Sequence, residues 1–171
     1  MLAERPLFLL GFMGSGKTYL GRQLAALLHR PFVDLDERLE QQEGCSISEL
    51  FSRDGEALFR EKERRCLQAI PLFNQVIATG GGTPCHADNM QYMSRCGHTV
   101  YLQVDPEVLY ERLLPQTANR PLLKGLSGEA LRRFIHSTLQ ERIPFYQQAH
   151  TIACADRLTA TQLLRLLQDA A

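Results

Sequence analysis

Gly11-Phe12-Met13-Gly14-Ser15-Gly16-Lys17-Thr18 is where chemistry is most legible in this chain. The octapeptide fits G-x-x-x-x-G-K-[ST] at every position, follows an apolar strand and opens a helix, which is the context that motif needs. Glycines reach positive φ freely, so the backbone N–H groups of such a loop can close around phosphate oxygens. The N-terminus of the following helix adds the positive end of its dipole. Lys17 is placed to reach the outer phosphates of a nucleoside triphosphate, and the Thr18 hydroxyl to hold Mg²⁺. The plain alternative is a glycine-rich turn that only joins strand to helix.

Other residue types with chemical potential recur at the ends of apolar runs. Asp34 and Asp36 close the run Phe32-Val33-Asp34-Leu35-Asp36, and if that run stays a strand both carboxylates point to one side. Gly80-Gly81-Gly82 follows Gln75–Thr79 and either lets the backbone approach a ligand or is a flexible turn. Arg60-Glu61-Lys62-Glu63-Arg64-Arg65 has the composition of a solvated helix face. Asp105, after Val100–Val104, imitates the magnesium-binding acid of a transport ATPase. Pro106 follows it, however, so an N-cap with proline at the first helical position is favoured. No N-K-x-D segment is present to read guanine, so a GTPase is disfavoured and a small-molecule kinase remains.

The elements that must position these groups alternate. Strands are expected at Pro6–Leu10, Phe32–Asp36, Gln75–Thr79, Thr99–Val104 and Thr151–Cys154. Helices are expected at Lys17–His29, Glu56–Ile70, His86–Cys96 with Gly97 to stop it, Glu129–Glu141 ending before Pro144, and Thr159–Gln168. Ser46 with Glu49 resembles a capping box, Asp54-Gly55 a turn, and Pro115–Gly128 a loop. Alternation of this kind means an α/β fold, a parallel sheet covered on both faces, with ligands at the carboxyl ends of its strands. One domain spanning 1–171 is expected.

Taken in order, the phosphate loop, Phe32–Asp36, Phe59-Arg60 with Glu63, Gly80–Gly82, Arg120-Pro121-Leu122, and Glu141-Arg142 with Pro144 and Tyr146 resemble the shikimate kinase family across nearly the whole chain. The resemblance implies a three-layer P-loop kinase fold with five parallel strands in the order 2-3-1-4-5, a substrate-binding region at about 33–62 and a mobile lid at about 115–128. It implies transfer of the ATP γ-phosphate to the 3-hydroxyl of shikimate. Carried over residue by residue, it assigns ATP to Gly14, Ser15, Gly16, Lys17, Thr18 and Tyr19, with Arg112 against the adenine or else on a helix surface. Thr18 and Asp34 fall at the metal, the latter through water. Asp36 matches the position that grips the substrate hydroxyls and can take the proton. Arg60 and Arg142 match the carboxylate-binding positions, as arginine forks should. Gly80, Gly81 and Gly82 match backbone contacts to substrate and γ-phosphate, and Arg120 matches the lid arginine. Lys17, Asp36 and Arg120 form the catalytic set. An adenine pocket near Asp156–Thr159 has no sharp motif, and Cys85 matches no role.

Composition narrows the remainder. Lys plus Arg and Asp plus Glu number 19 each, so the chain lacks the basic footprint of a nucleic-acid binder. Five cysteines without a C-x-x-C pair argue for reduced thiols rather than disulfides or structural zinc. No apolar run is long enough for a membrane span, and Leu7–Leu10 is too short for a signal core. A mature, cytoplasmic protein with no nucleic-acid or membrane partner is expected, and the family resemblance implies a monomer. The competing readings are a related kinase, such as gluconate kinase, and a nucleotide-binding regulatory module without catalysis.

Overall fold

The computed structural model describes residues 4–169. Its strands are β1 (Leu7–Leu10), β2 (Phe32–Asp34), β3 (Val76–Ala78), β4 (His98–Gln103) and β5 (Thr151–Cys154). Its α-helices are α1 (Lys17–Leu28), α2 (Leu35–Glu43), α3 (Ile47–Gln68), α4 (Asn89–Cys96), α5 (Pro106–Leu113), α6 (Gly128–Tyr146) and α7 (Ala160–Asp169). All strand pairs are parallel and the order is β2-β3-β1-β4-β5, as the family resemblance implies.

β1 is buried at every position because both faces of the sheet are covered. Its side chains alternate between two apolar clusters. Phe8 and Leu10 join Leu35, Leu50, Phe59 and Met90 on one face. Leu7 and Leu9 join Leu24, Leu109, Ile135 and Leu163 on the other. The central strand thereby holds the phosphate loop rigidly at its carboxyl end.

Several local expectations change. The run Phe32–Asp36 is a strand only to Asp34; there the chain turns into α2, a helix the sequence reading did not foresee. Asp34 is its N-cap, accepting the N–H groups of Asp36 and Glu37 at 3.0 and 3.3 Å. The two acids are therefore a cap and a first-turn residue, not neighbours on one strand face, and both gain from the helix N-terminus. The Ser46–Glu49 capping box forms. The Asp54-Gly55 turn becomes a kink within α3, Gly55 taking φ 75° and ψ 170°.

Helix α4 starts at Asn89, after a 3₁₀ turn at Thr83–Cys85. Gly97 stops it in an extended conformation, and a Cβ there would strike the Pro6 carbonyl. Asp105 caps α5 as expected. The segment expected as a loop at 115–128 contains short 3₁₀ turns at Leu114–Asn119 and Pro121–Leu123. Helix α6 runs through Pro144 instead of ending before it; Gln140, whose carbonyl loses a donor to the proline, is exposed.

Candidate functional site

The phosphate loop takes its shape from glycine at defined points. Gly11 has φ 146°, and a Cβ there would lie 2.8 Å from both the Leu102 carbonyl and Ser15 Oγ. Ser15 is buried, its N–H donates to the Phe12 carbonyl at 3.1 Å, and its Oγ has no hydrogen-bond partner. Lys17 opens α1 and is 9% exposed. Its Nζ donates to the carbonyls of Gly11 and Phe12 at 2.8 and 2.9 Å. Burial lowers its pKa to about 8, opposed by the Asp36 carboxylate and reinforced by Arg120. Lys17 stays cationic at neutral pH and sits over its own loop.

Thr18 donates its hydroxyl to Asp34 Oδ2 at 2.6 Å. Among the described residues no group of three or more His, Cys, Asp or Glu could hold a metal ion. A divalent cation beside Thr18 and Asp34 would therefore take most of its oxygens from phosphates and water. That suits Mg²⁺, which keeps several waters and favours oxygen donors.

Two cavities adjoin at the carboxyl ends of the strands. One is lined by Gly14, Gly16, Lys17, Thr18, Tyr19, Asp34, Arg112 and Gln116. The other is lined by Ile47, Phe51, Phe59, Arg60, Glu63, Gly80, Gly82, Leu122 and Arg142. Met13, Asp36, Gly81 and Arg120 line both. Burial pushes the Asp36 carboxyl up to about 6, with Glu63 and then Asp34 adding to the rise. Arg120 Nε and Nη2 both donate to Gln116 Oε1, at 3.1 and 2.9 Å.

The second cavity is built around two guanidinium groups. Arg60 Nη1 donates to Glu63 Oε2 at 3.0 Å, with its guanidinium 5.2 Å from the Phe59 ring centre. Arg142 lies 5.5 Å from the Phe12 ring centre, and its Nη1 is buried with no hydrogen-bond partner. Both belong to a pocket rather than to a solvated helix face. The triple glycine is explained by these neighbours. A Cβ on Gly80 would lie 2.5 Å from Glu63 Oε1, and one on Gly81 would lie 3.2 Å from Arg142 Nη1. On Gly82 it would strike the Arg60 guanidinium. The requirement is for space and not for positive φ.

The structure thus brings the candidate site residues together around the two cavities, except that Ser15, between Gly14 and Gly16, lines neither. Arg112 is neither free nor on a plain surface. It donates to the Gly14 carbonyl at 3.1 Å and to the Asp156 carbonyl at 2.7 Å, tying the phosphate loop to the segment after β5. Three supporting residues had been given no role. Glu63 and Tyr146 stand in the sequence only within the motifs that carry the resemblance, and the i+3 spacing of Glu63 from Arg60 is the signal for their pairing. Gln116 holds Arg120, and Tyr146 donates its hydroxyl to the Gly81 carbonyl at 2.6 Å. Cys85 is half-buried, and burial pushes its thiol up to about 11, which makes it a poor nucleophile at neutral pH.

Known proteins align with this arrangement throughout. A family model described as shikimate kinase matches residues 13–170. A shikimate kinase of Bacteroides fragilis is 48% identical over 169 residues, covering 94% of each chain. A crystal structure of the shikimate kinase of Bacteroides thetaiotaomicron superposes with a TM-score of 0.91 at 44% identity, covering 98% of each chain. The shikimate kinase of Acinetobacter baumannii, solved in complex with shikimate, gives a TM-score of 0.87 at 34% identity, covering 96% of this chain and 93% of that one.

Proposed function

We infer the activity from family and site together: the chain belongs to the shikimate kinase family, and it transfers the γ-phosphate of ATP to the 3-hydroxyl of shikimate. The products are shikimate 3-phosphate and ADP, on the route to aromatic amino acids. The observation that carries this is the meeting of two cavities at Met13, Asp36, Gly81 and Arg120. A triphosphate in the first and a cyclic hydroxy acid in the second would present phosphoryl group and hydroxyl to each other at that junction.

In this reading Arg60 and Arg142 hold the substrate carboxylate, and the unpartnered Nη1 of Arg142 gains an acceptor. Ile47, Phe51 and Phe59 flank the ring. Asp36 accepts a hydrogen bond from the 3-hydroxyl and receives its proton as the new O–P bond forms. Lys17 exchanges its two carbonyl partners for phosphate oxygens. Arg120 faces the transferring group, and closure of 115–128 excludes water that would otherwise accept the phosphoryl group. Thr18, with Asp34 acting through water, would hold Mg²⁺, which when bound offsets phosphate charge. Arg112 lies where it can flank the adenine while fastened to Gly14 and Asp156.

The site is complete within one chain, which suits a monomer. Five unpaired thiols suit a reducing cytoplasm. Among the described residues no helix is long and apolar enough to cross a membrane. A coupled ADP-release assay with shikimate, gluconate and nucleoside monophosphates tests the reading. Turnover with shikimate is expected. Preference for gluconate or a nucleotide would overturn the substrate, and ATP binding without turnover would leave a regulatory module.

A further inference from the structure

Behind the arginine pair lies a buried polar chain that ends at Glu63, in the wall of the second cavity. Glu63 is 1% exposed, and its two oxygens have different partners. Oε2 accepts from Arg60 Nη1 at 3.0 Å, while Oε1 accepts the Thr83 hydroxyl at 2.6 Å. Thr83 and Asn89 are both fully buried. The Asn89 side-chain amide donates to the Thr83 carbonyl at 2.9 Å. Thr83 opens the 3₁₀ turn immediately after the triple glycine, and Asn89 opens α4, so the chain is anchored in regular structure at both points.

The division of Glu63 matters because of what an undivided carboxylate does. A carboxylate free to offer both oxygens to a guanidinium forms a two-pronged pair that occupies the arginine fork. With Oε1 taken by Thr83, Glu63 meets Arg60 through one nitrogen. The other acid near Arg60 is Glu56, at 3.5 Å from Nη2 on a side chain 64% exposed. Such a contact competes weakly with a ligand.

We propose that Thr83, braced by Asn89, is a positioning residue for the substrate: by occupying one oxygen of Glu63 it leaves the remaining N–H groups of Arg60 available to the substrate carboxylate. Thr83 is outside both cavities' linings, so its effect reaches the substrate through Glu63, which lines the second cavity and pairs with Arg60. The identity of that substrate rests on the shikimate reading.

The test is Thr83→Val, which keeps the side-chain shape and removes the hydroxyl. KM for shikimate should rise about tenfold, the scale of one hydrogen bond to a charged group. kcat and the KM for ATP should stay within about twofold of wild type, since neither depends on Arg60. Thr83→Ser, which restores the donor, should return KM for shikimate to near its wild-type value. In an Arg60→Ala background Thr83→Val should add little, because the two act in series. If Thr83→Val does not fold, Thr83→Ala is compared with Thr83→Ser in the same way. An unchanged KM for shikimate in a folded variant without the hydroxyl overturns the proposal. So does an equal loss for both substrates, or a serine variant as weak as the valine one. Wild-type protein that fails to turn over shikimate would refute the substrate reading instead, a result separable from any of these.

Discussion

Replacing Arg142 with alanine and Arg60 with alanine should give different phenotypes, although the proposed clamp gives both arginines the same carboxylate. Arg142 Nη1 is buried without a hydrogen-bond partner, so a substrate carboxylate supplies an acceptor the free protein lacks. Its loss removes a charge-assisted contact of about 1.5–3 kcal/mol, which is about ten- to a hundredfold in KM for shikimate. Arg142→Ala strands no buried carboxylate, so Tm should change less than in Arg60→Ala. Arg60→Ala removes a comparable contact and also strands Glu63, a carboxylate 1% exposed whose Oε2 pairs with Arg60 at 3.0 Å. Breaking a buried pair from one side costs about 3–5 kcal/mol, or about 10 °C in Tm for a chain near this length. The surviving Thr83 bond to Oε1 makes that an upper figure. Initial rates at saturating ATP measure the first effect, and thermal unfolding the second. The double variant should lose less affinity than the sum of the singles, because both touch one carboxylate. An Arg142→Ala protein with altered KM for ATP and unchanged KM for shikimate refutes the clamp. An Arg60→Ala protein as stable as wild type refutes the account of Glu63.

Lys17→Ala should fold normally and lose nearly all turnover, since Lys17 bonds only to loop carbonyls and acts on phosphate charge; near-normal kcat would count against it. The profile of kcat/KM against pH should be a bell, because Asp36 (about 6) is protonated on its acid side and Lys17 (about 8) is neutral on its alkaline side. Asp36→Asn should cut kcat by roughly 10² to 10⁴. It should also raise Tm at pH 8: the folded protein holds the Asp36 proton to a higher pH than the unfolded chain, so the wild type loses that stability as pH rises through about 6. A Tm unchanged between the two proteins at pH 8 would show that Asp36 is not strained by its surroundings. Arg120→Ala should lower kcat more than it raises either KM, and ATP with shikimate should shield 115–128 from proteolysis; a pure KM effect would argue against a lid arginine.

The phosphate loop was legible because its function is carried by backbone geometry, which only particular residues at fixed spacing allow. Gly11 cannot bear a Cβ beneath the Leu102 carbonyl, and no other residue type solves that problem. The caps at Ser46 and Asp105 were legible for the same reason, each being a local hydrogen bond written within three residues. What escaped depended on contacts distant in sequence or on one residue serving two elements. Asp34 ends β2 and caps α2 at once, so the strand pattern masked the helix. Pro144 should end a helix by local rules, yet α6 continues through it. The turn beyond it carries fully buried Tyr146, whose hydroxyl reaches the Gly81 carbonyl across 65 positions. That one bond fastens the end of α6 to the glycine strip.

The Gly80–Gly82 strip shows how a motif can carry a second reason that local logic does not reach. Local logic ascribes three glycines to ligand approach or to flexibility. Here the strip is crowded by Glu63, Arg142 and Arg60, whose charged groups fill the volumes three Cβ atoms would need. Two of these neighbours are themselves held, Glu63 by Thr83 and Arg60 by Glu63, and the strip is held by Tyr146. A glycine-to-alanine change there would press first on these side chains, Glu63 and Thr83 at Gly80 and an arginine at Gly81 and Gly82. Gly82→Ala, with the Arg60 guanidinium directly in its path, would displace the clamp, whereas Gly81→Ala meets Arg142 Nη1 and the Met13 backbone nitrogen, each at 3.2 Å, and asks for a shift of a few tenths of an ångström. The order of damage to shikimate binding should therefore be Gly82 above Gly81, a ranking set by side-chain packing that chain flexibility alone would not produce.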